Sequence, residues 1–276
     1  MKDNEISKIF NLKNRNVIIT GSAGLLGSQY ALTLSSAGAN VILVDLDEKN
    51  NKKLVNKIKK KYKTKPNYYT TDITSKDEIL NLKDNISKDY DHVYGLINNV
   101  AFTAKASKLE KNTKFASGFE NFPLDIWKKS IDVNLTSVFL CSQIFGKEML
   151  KNKKGVIVNI ASTYGLVGAD QRIYGDSKIN SPSSYAATKG AIVNLTRYLA
   201  AYWHRKNIRV NTLSPGGVKD ETYQKSDFIK KYSDKTILGR MAEKTEYNGA
   251  ILFLMSDASS YMTGSNLIVD GGWTAW

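Results

Sequence analysis

Short apolar runs rich in β-branched residues alternate along the chain with longer segments whose apolar residues recur at helical spacing. Such runs are typical of strands buried on both faces, and the segments between them are typical of crossover helices. The alternation predicts an α/β fold, a Rossmann-type, doubly wound parallel sheet of seven strands. The predicted strands are 17–20, 41–44, 68–70, 93–97, 156–160, 208–213 and 266–269, and the predicted helices are 25–37, 48–62, 76–88, 124–150, 183–206 and 245–256.

No repeat, low-complexity tract or flexible linker interrupts this pattern, so we expect residues 1–276 to form a single domain. Three connections, 101–123, 163–182 and 216–244, are longer than is usual between such elements. Each follows the carboxyl end of a predicted strand, which is the edge where ligands bind in open α/β sheets. We therefore expect these loops to form a substrate site, and the third to contain a short helix.

Composition narrows the class of protein further. Hydrophobic residues make up 42% of the chain and only four residues are proline, which excludes a disordered or fibrous protein. Residues 1–16 carry charges throughout, and no segment approaches ~20 uncharged apolar residues, so we expect a soluble, cytoplasmic protein with no membrane partner. The single cysteine, Cys141, lies in an apolar run and is expected to be a buried, reduced thiol. No metal site is predicted.

The formal net charge of +14 raises nucleic-acid binding as an alternative, because clustered lysines attract phosphate backbones. The densest run of lysines, 49–65, also has Leu54, Val55, Ile58 and Tyr62 at helical spacing. That spacing predicts a helix with one apolar stripe and a lysine face in water. We therefore expect no nucleic-acid partner.

A glycine-rich loop joins the first predicted strand to a helix. Glycine lets the backbone turn tightly and approach a pyrophosphate, which the free N–H groups of a helix N-terminus then stabilise. A merely structural turn is the alternative, but the position between strand and helix favours a dinucleotide site. Its expected cofactor contacts are Gly21, Ser22, Gly24, Leu25, Leu26 and Gly27.

The second predicted strand ends in Asp45, 18 residues after Gly27. A carboxylate there can accept hydrogen bonds from both hydroxyls of an adenosine ribose, whereas it would repel the 2′-phosphate of NADP. We therefore predict NAD as the cofactor, with a turn-capping role for Asp45 as the alternative. Asp72 and Ile73, after the third strand, are similarly placed to cover the adenine, and turn capping explains Asp72 about equally well.

Tyr185 and Lys189 stand four residues apart at the start of the helix predicted at 183–206, so they lie on one face of it. A tyrosine with its ordinary pKa of ~10 is a poor base at neutral pH, but a nearby ammonium stabilises the phenolate. The pair can therefore exchange a proton with a substrate. Because such a pair also arises by chance in helices, it gains weight only from its neighbours.

Those neighbours form a recognisable set. Ser162 follows the strand at 156–160, Asn134 lies in the preceding helix, and 98–101 end the fourth strand. Together with 20–27, Asp72, 214–217 and 263–273, these pieces resemble the short-chain dehydrogenase/reductase family over essentially the whole chain. The resemblance implies a nicotinamide-dependent enzyme that acts on CH–OH groups.

The resemblance also implies a role for each residue. Tyr185 would be the general acid/base, Lys189 would lower its pKa and bind the nicotinamide ribose, and Ser162 would hydrogen-bond the substrate oxygen. Asn134 would hold a water in a proton relay. Further cofactor contacts, besides Tyr185 and Lys189, would be Asn99, Val100, Ala101, Pro215, Gly216 and Val218.

One feature departs from the shorter-subunit branch of the family, which usually has T-G-x-x-x-G-x-G. Here glycines stand at 21, 24 and 27, and Leu25 occupies a position where that branch has glycine. The spacing is similar to that of the longer sugar-nucleotide epimerase branch, whereas the length and the 263–273 segment resemble the shorter branch. We assign the shorter branch and keep a sugar epimerase or dehydratase, and a catalytically silent NAD-binding regulator, as alternatives.

The interval from Ser162 to Tyr185 is 23 residues, longer than is usual in the family, and it is rich in polar side chains. This favours a polyhydroxylated small molecule, with Ser162, Tyr164, Arg172 and Tyr185 as expected substrate contacts. Segments 168–174 and 269–273 are similar to members associated with bacterial surface-polysaccharide and flagellin sugar synthesis. A gluconate or polyol dehydrogenase is the alternative.

The helices predicted at 124–150 and 183–206 carry more apolar surface than one sheet face needs, and the family buries such helices between subunits. We therefore expect a homodimer or homotetramer, with Trp273 and Trp276 near an interface or a neighbouring pocket. The residues counted as surplus apolar surface are Phe139, Phe145, Leu199, Tyr202 and Trp203.

Overall fold

The computed structural model describes residues 5–103, 118–177, 180–220, 222 and 224–276. Within them lies one parallel sheet of seven strands, which confirms the predicted α/β doubly wound fold. The strands are β1 (Asn16–Thr20), β2 (Asn40–Asp45), β3 (Asn67–Thr70), β4 (Gly95–Asn98), β5 (Gly155–Ile160), β6 (Ile208–Pro215) and β7 (Asn266–Val269). Their spatial order is β3-β2-β1-β4-β5-β6-β7, so the direction of winding reverses between β1 and β4. That reversal opens a crevice at the carboxyl ends of the strands.

The helices of the described residues follow the predicted alternation. They are α1 (Glu5–Ile9), α2 (Leu25–Ser36), α3 (Glu48–Lys61), α4 (Lys76–Asp89), α5 (Leu124–Ile131), α6 (Ser137–Lys151), α7 (Ser183–Tyr202), α8 (Ser226–Ser233) and α9 (Asn248–Met255). Side-chain oxygens start two of them: Asp47 accepts the N–H of Asn50 at 3.0 Å at α3, and Ser75 accepts that of Glu78 at 3.3 Å at α4. Helix α8 is the short helix expected within 216–244.

Two predicted helices end or divide differently in the structure. The helix predicted at 124–150 is interrupted by a π-helical turn, Asp132–Thr136, which separates α5 from α6. The helix predicted to reach residue 206 ends at Tyr202, after which the chain passes through left-handed backbone at Arg205 and Asn207. Periodicity does not predict the π-helical turn, because Val133 and Leu135 continue the apolar pattern through it. The polar residues 204–207 are compatible with a further helical turn, so they do not mark the end of α7.

The sheet is covered on both faces by apolar side chains. On one face α2, α3 and α9 contribute the apolar residues, including Tyr30, Leu34 and Ile58, all fully buried. On the other face α4, α6 and α7 do so, and fully buried Phe145 lies there with Cys141. Cys141 is a free thiol whose pKa burial raises to about 12, as expected for an inert core cysteine. The lysines of α3 lie on its exposed side, opposite the buried stripe.

The surplus apolar surface predicted on α6 and α7 is smaller than expected. Phe145, Leu199 and Trp203 belong to the core of the chain itself, because the face of the sheet under α6 and α7 is wide enough to take them. Phe139 and Tyr202 are exposed, and Tyr202 stacks on Tyr198 at 5.9 Å between ring centroids. Among the described residues, no helix has both the length and the apolarity needed to cross a membrane.

Candidate active site

Two glycines shape the loop between β1 and α2. Gly21 has a φ of +66°, in the left-handed region that residues with a Cβ rarely adopt, and its N–H donates to the Val44 carbonyl at 2.8 Å. A Cβ on Gly27, in the first turn of α2, would lie 2.1 Å from the carbonyl oxygen of Gly21. The first turn of α2 therefore packs directly on the loop because residue 27 has no side chain.

The N-terminus of α2 carries no side-chain cap. Its N-cap residue is Gly24, which has no side-chain oxygen to accept the free N–H groups of the first turn, where Leu25 and Leu26 lie. Uncapped N–H groups at the positive end of a helix dipole suit an anion. No acidic side chain occurs within 21–27. The loop therefore fits the pyrophosphate of a dinucleotide.

Side chains from outside the loop hold it in place. Asn99, directly after β4, donates its amide to the carbonyls of Thr20 at 3.2 Å and Gly21 at 3.0 Å. The Ser22 hydroxyl donates to Oδ1 of Asn51 on α3 at 2.8 Å, and both side chains are fully buried. Ser22 and Asn99 thus fix the loop through their side chains, and their cofactor contacts remain predictions.

Asp45 ends β2 beside the same loop. Its Oδ2 accepts the N–H of Ala23 and its Oδ1 accepts that of Asp47, both at 3.0 Å. The carboxylate therefore supports the glycine loop through Ala23, and its contact with Asp47 is the turn cap considered as the alternative. A carboxylate has about four acceptor positions, so two remain for ribose hydroxyls.

Asp72 and Ile73 follow β3 at the same edge of the sheet. Asp72 accepts the N–H of Thr74 at 2.9 Å and its hydroxyl at 2.7 Å through one oxygen, Oδ1. Ile73 is buried in the core with Ile18 and Ile42. The contacts of Asp72 with Thr74 are the turn cap considered from sequence. Contact of Asp72 or Ile73 with adenine remains a prediction.

Asn134 lies in the π-helical turn between α5 and α6 and is fully buried. Its Oδ1 accepts the N–H of Phe102 at 2.5 Å, and its amide donates to the Phe102 carbonyl at 3.2 Å and to Oγ1 of Thr188 at 3.3 Å. One side chain therefore joins the segment after β4, which carries Val100 and Ala101, to α7. Short π-helical turns inside α-helices are frequent at functional sites.

Ser162 and Tyr185 come together from β5 and α7. Ser162 lies two residues beyond the end of β5, and its Oγ accepts the N–H of Tyr164 at 3.2 Å. Tyr185 lies in the first turn of α7. Burial raises the pKa of Tyr185, a hydrogen bond with Ser162 lowers it, and the nearby Tyr174 phenol raises it. The two hydroxyls predicted to hold the substrate oxygen are therefore neighbours.

Lys189 lies one turn further along α7 with its ammonium 5.6 Å from the centre of the Tyr185 ring. It is 1% exposed, and its Nζ donates to the Ile160 carbonyl at 2.6 Å. Burial lowers the pKa of Lys189 to about 7. The sequence predicts that Lys189 lowers the pKa of Tyr185, but in this structure burial of the phenol dominates and raises it. Burial also disfavours the ammonium form of Lys189, and only that form can stabilise a phenolate.

The turn after β6 carries the remaining predicted cofactor residues. β6 ends at Pro215, and the N–H of Gly216 donates to the Val269 carbonyl at 2.8 Å. The Gly216 carbonyl accepts the hydroxyl of Tyr247 at 3.0 Å. Val218 forms an isolated bridge with Ala242. The turn is thus fixed on the same edge of the sheet as the glycine loop.

The two remaining predicted substrate residues differ in burial. Tyr164 is mostly buried, with its ring edge-on to Trp273 at 6.2 Å between centroids. Arg172 is exposed, and its guanidinium donates to both oxygens of Asp170 at 2.8 and 2.9 Å. Lys235 also contacts Asp170, at 2.9 Å. Arg172 would have to leave its partner to bind a substrate.

Several residues at the site are not among those predicted from sequence. Thr188 binds Asn134, Asn51 binds Ser22, and Tyr232 on α8 binds the turn after β6. Each lies in a helix at a position that periodicity assigns to the core. A buried polar residue on an otherwise apolar helix face is the signal that could have marked Asn51 and Thr188. Of the loop at 101–123, residues 104–117 lie outside the described residues.

The family model described as enoyl-(acyl carrier protein) reductase matches residues 21–274. With the fold, the glycine loop and the Ser162, Tyr185 and Lys189 geometry, this match shows that the chain belongs to the short-chain dehydrogenase/reductase family. The family binds a nicotinamide cofactor, and its members related to this chain are oxidoreductases that act on CH–OH groups.

Characterised relatives match nearly the whole chain. An NAD-dependent glycerol dehydrogenase of Listeria innocua is 34% identical, with 97% of this chain and 96% of that protein covered. A 2-dehydro-3-deoxy-D-gluconate 5-dehydrogenase of Pseudoalteromonas atlantica is 30% identical, with 96% and 97% covered. Among solved structures, a gluconate 5-dehydrogenase of Burkholderia cenocepacia in complex with NADP and tartrate has a TM-score of 0.86 at 26% identity, with 98% and 99% covered.

Proposed function

We propose that the protein is an NAD-dependent dehydrogenase that interconverts a secondary hydroxyl and a ketone on a sugar or sugar-derived polyol. One observation carries the proposal. The Ser162 hydroxyl, just after β5, lies beside the Tyr185 phenol on α7, and the Lys189 ammonium lies one turn further along α7. Hydroxyls from two different elements meet there, so a substrate oxygen can bind both.

In this mechanism Tyr185 is the general acid/base. In alcohol oxidation its phenolate accepts the hydroxyl proton of the substrate, and in ketone reduction its phenol returns it. Ser162 donates a hydrogen bond to the substrate oxygen and holds it next to Tyr185. The nicotinamide, when bound, takes up or supplies the hydride. Lys189 lies one turn further along α7. Its protonated amine stabilises the Tyr185 phenolate and binds the nicotinamide ribose.

Asn134 does not contact the substrate directly in this mechanism. Its hydrogen bonds to Phe102 and Thr188 fix the π-helical turn against α7. We propose that Asn134 binds a water molecule, and that this water belongs to a proton relay that starts near Lys189. The widened turn supports this role because it leaves backbone groups outside the regular α-helical hydrogen bonds.

The dinucleotide contacts are part of the proposal. The bare backbone of 21–27 would hold the pyrophosphate, and Asp45 the adenosine ribose. Asp72 and Ile73 would border the adenine. The nicotinamide would lie against Asn99, Val100, Ala101, Pro215, Gly216 and Val218.

The preference for NAD over NADP rests on the Asp45 carboxylate. It accepts the N–H of Ala23 in the loop and that of Asp47 in the turn after β2, and a 2′-phosphate bound beside this carboxylate would meet a like charge. The relatives include examples of both cofactors. The Listeria enzyme is named NAD-dependent, while the Burkholderia structure holds NADP. Isothermal titration with NAD and NADP tests the preference, and equal affinities would contradict it.

The substrate class is supported by the relatives' names, which include glycerol and gluconate-type compounds. The loops at 101–123, 163–182 and 216–244, with Tyr164 and Arg172, would bind the rest of such a molecule. A role in surface-glycan sugar synthesis and a gluconate- or polyol-type dehydrogenase are both compatible with this site. An epimerase or dehydratase remains the second candidate, favoured by the glycine spacing at 21, 24 and 27.

A panel of polyols, aldonates and sugars with NAD, followed through NADH absorbance, tests the activity. Tyr185→Phe is the control, because it removes only the phenolic oxygen. Turnover that needs NAD and is lost in Tyr185→Phe supports the proposal. Conversion of a sugar with no net change in NADH would favour the epimerase or dehydratase instead.

We also propose a cytoplasmic homodimer or homotetramer. Phe139, Tyr198 and Tyr202 support it, because these aromatic residues stay exposed on α6 and α7. Trp276 is 76% exposed, whereas Trp273 is buried within its own chain. Light scattering at micromolar concentration tests the assembly, and a monomeric mass would contradict it.

A further inference from the structure

Tyr232, on α8, meets the turn that follows β6. Its hydroxyl oxygen accepts the N–H of Gly217 at 2.6 Å. A Cβ on Gly217 would lie 2.4 Å from the ring carbon that carries this oxygen. The phenol therefore reaches the backbone of the turn only because residue 217 has no side chain. Gly217 directly follows Gly216, which is a proposed nicotinamide contact.

The ring of Tyr232 is also bound from the other side. It stacks on Trp273 with 4.3 Å between centroids and 24° between planes, and only 4% of Tyr232 is exposed. Trp276 donates its indole N–H to the Lys235 carbonyl at 3.1 Å, and the N–H of Leu238 donates to the Gly271 carbonyl at 3.1 Å. The segment 270–276 thus holds α8 in place.

The same aromatic cluster extends to the segment that carries Ser162. Trp273, stacked on Tyr232, is in edge contact with Tyr164, whose N–H donates to Oγ of Ser162. The Thr163 side chain lies beside the Tyr232 phenol. Burial raises the pKa of Tyr232 to about 12, while the Gly217 N–H and the Thr163 side chain lower it. Tyr232 therefore contacts both the turn after β6 and the segment after β5.

From these contacts we infer that Tyr232 is a positioning residue, which fixes the turn at 215–218 relative to Ser162 through its single hydroxyl. The inference rests on the proposed function, because Ser162 is the proposed substrate contact and the turn the proposed nicotinamide contact. A misplacement of about 1 Å between reacting groups can reduce a rate by up to about 100-fold. One hydroxyl on α8 thus affects catalysis without touching the substrate.

The alternative is that Tyr232 only fills an aromatic cluster, in which case its oxygen is dispensable. Tyr232→Phe distinguishes the two, because it keeps the ring on Trp273 and removes only the oxygen. We expect kcat to fall about 10-fold, with the unfolding midpoint little changed. Hydrogen exchange of the Gly217 amide should become faster in the enzyme without cofactor, since its acceptor is lost.

Two matched variants serve as controls. Tyr30→Phe removes another buried phenolic oxygen, one with no hydrogen-bond partner in the described part of the chain, and should change neither kcat nor exchange at Gly217. Tyr247→Phe removes the phenol that binds the neighbouring Gly216 carbonyl from the core side. That variant loosens the same turn but keeps the link toward Ser162, so kcat should fall by less than in Tyr232→Phe.

Thr163→Val tests the other end of the link. If the two hydroxyls act as one connection, Thr163→Val and Tyr232→Phe should be non-additive in kcat. Wild-type kcat together with wild-type exchange in Tyr232→Phe would overturn the inference, and so would full additivity. A wild-type enzyme without turnover on the panel would contradict the proposed function instead, while exchange at Gly217 would still decide the hydrogen bond's role.

Discussion

The region from β1 to Asn99 and the region from α5 to β7 build their parts of the site in different ways. In the first region, polar side chains mainly form hydrogen bonds that fix the backbone of the loops. Asp45 accepts the N–H groups of Ala23 and Asp47, and Asn99 donates to the carbonyls of Thr20 and Gly21. The surface left for a ligand is bare backbone at a helix N-terminus, which suits a phosphate of any dinucleotide.

In the second region, buried side chains provide the chemistry themselves. Lys189 is 1% exposed with its charge disfavoured, and Tyr185 has its pKa raised by burial. Asn134, in the π-helical turn before α6, donates a hydrogen bond to Thr188 on α7. Desolvated groups such as these destabilise a fold unless they are paired, so they are typical of functional sites. The comparison indicates that the cofactor region tolerates changes of polar side chains better than the catalytic region does.

Tyr185→Phe should have the largest effect and tests the catalytic region. It removes the hydroxyl that exchanges the substrate proton and keeps the ring, so turnover should fall by ~100-fold or more. NAD affinity should stay within a few-fold of wild type, as measured by isothermal titration. Near-normal turnover on an identified substrate would contradict the mechanism while leaving the fold assignment intact.

Gly27→Ala tests the cofactor region. The new Cβ would lie 2.1 Å from the Gly21 carbonyl oxygen, so the loop must move. Overpacking of this kind costs about 1–3 kcal/mol, which predicts a loss of ~5-fold or more in NAD affinity by titration. Gly249→Ala is the control, because nothing lies within 4 Å of a Cβ there. Equal NAD affinity in both variants would show that the glycine loop does not contact the cofactor.

The same contrast explains what could be predicted from sequence. The seven strands and the glycine loop follow from local patterns, and so do the neighbours Tyr185 and Lys189 on α7. The π-helical turn at Asn134 and the Tyr232–Gly217 contact depend on elements far apart in the chain. No local periodicity specifies such contacts. The raised pKa of Tyr185 likewise depends on burial, which is a tertiary property.

Asp45→Asn tests the one charge on which the cofactor region depends. Asparagine keeps an oxygen for the Ala23 N–H but removes the negative charge, so the affinity for NADP relative to NAD should rise by about 5- to 10-fold. Asp47→Asn is the matched control, because asparagine caps α3 as well as aspartate does. An unchanged ratio in Asp45→Asn, or the same shift in both variants, would show that Asp45 does not set the preference.

The smallest predicted effect concerns stability and the charge of Lys189. Burial lowers its pKa to about 7, whereas in the unfolded chain a lysine has its ordinary pKa of ~10.4. Between these values the unfolded chain binds more protons, so this group destabilises the fold fully below about pH 7 and progressively less as the pH rises. Lys189→Met removes that penalty together with the hydrogen bond to Ile160.

The stability of Lys189→Met relative to wild type should therefore be most favourable near pH 6 and decline by at least about 1 kcal/mol toward pH 9. Denaturant unfolding at both pH values, without cofactor, measures this change directly. Lys147→Met replaces an exposed lysine on α6 and should show no comparable trend. A difference between Lys189→Met and wild type that stays constant with pH would mean that Lys189 is not held in a desolvated site, and the contrast between the two regions would lose its main support.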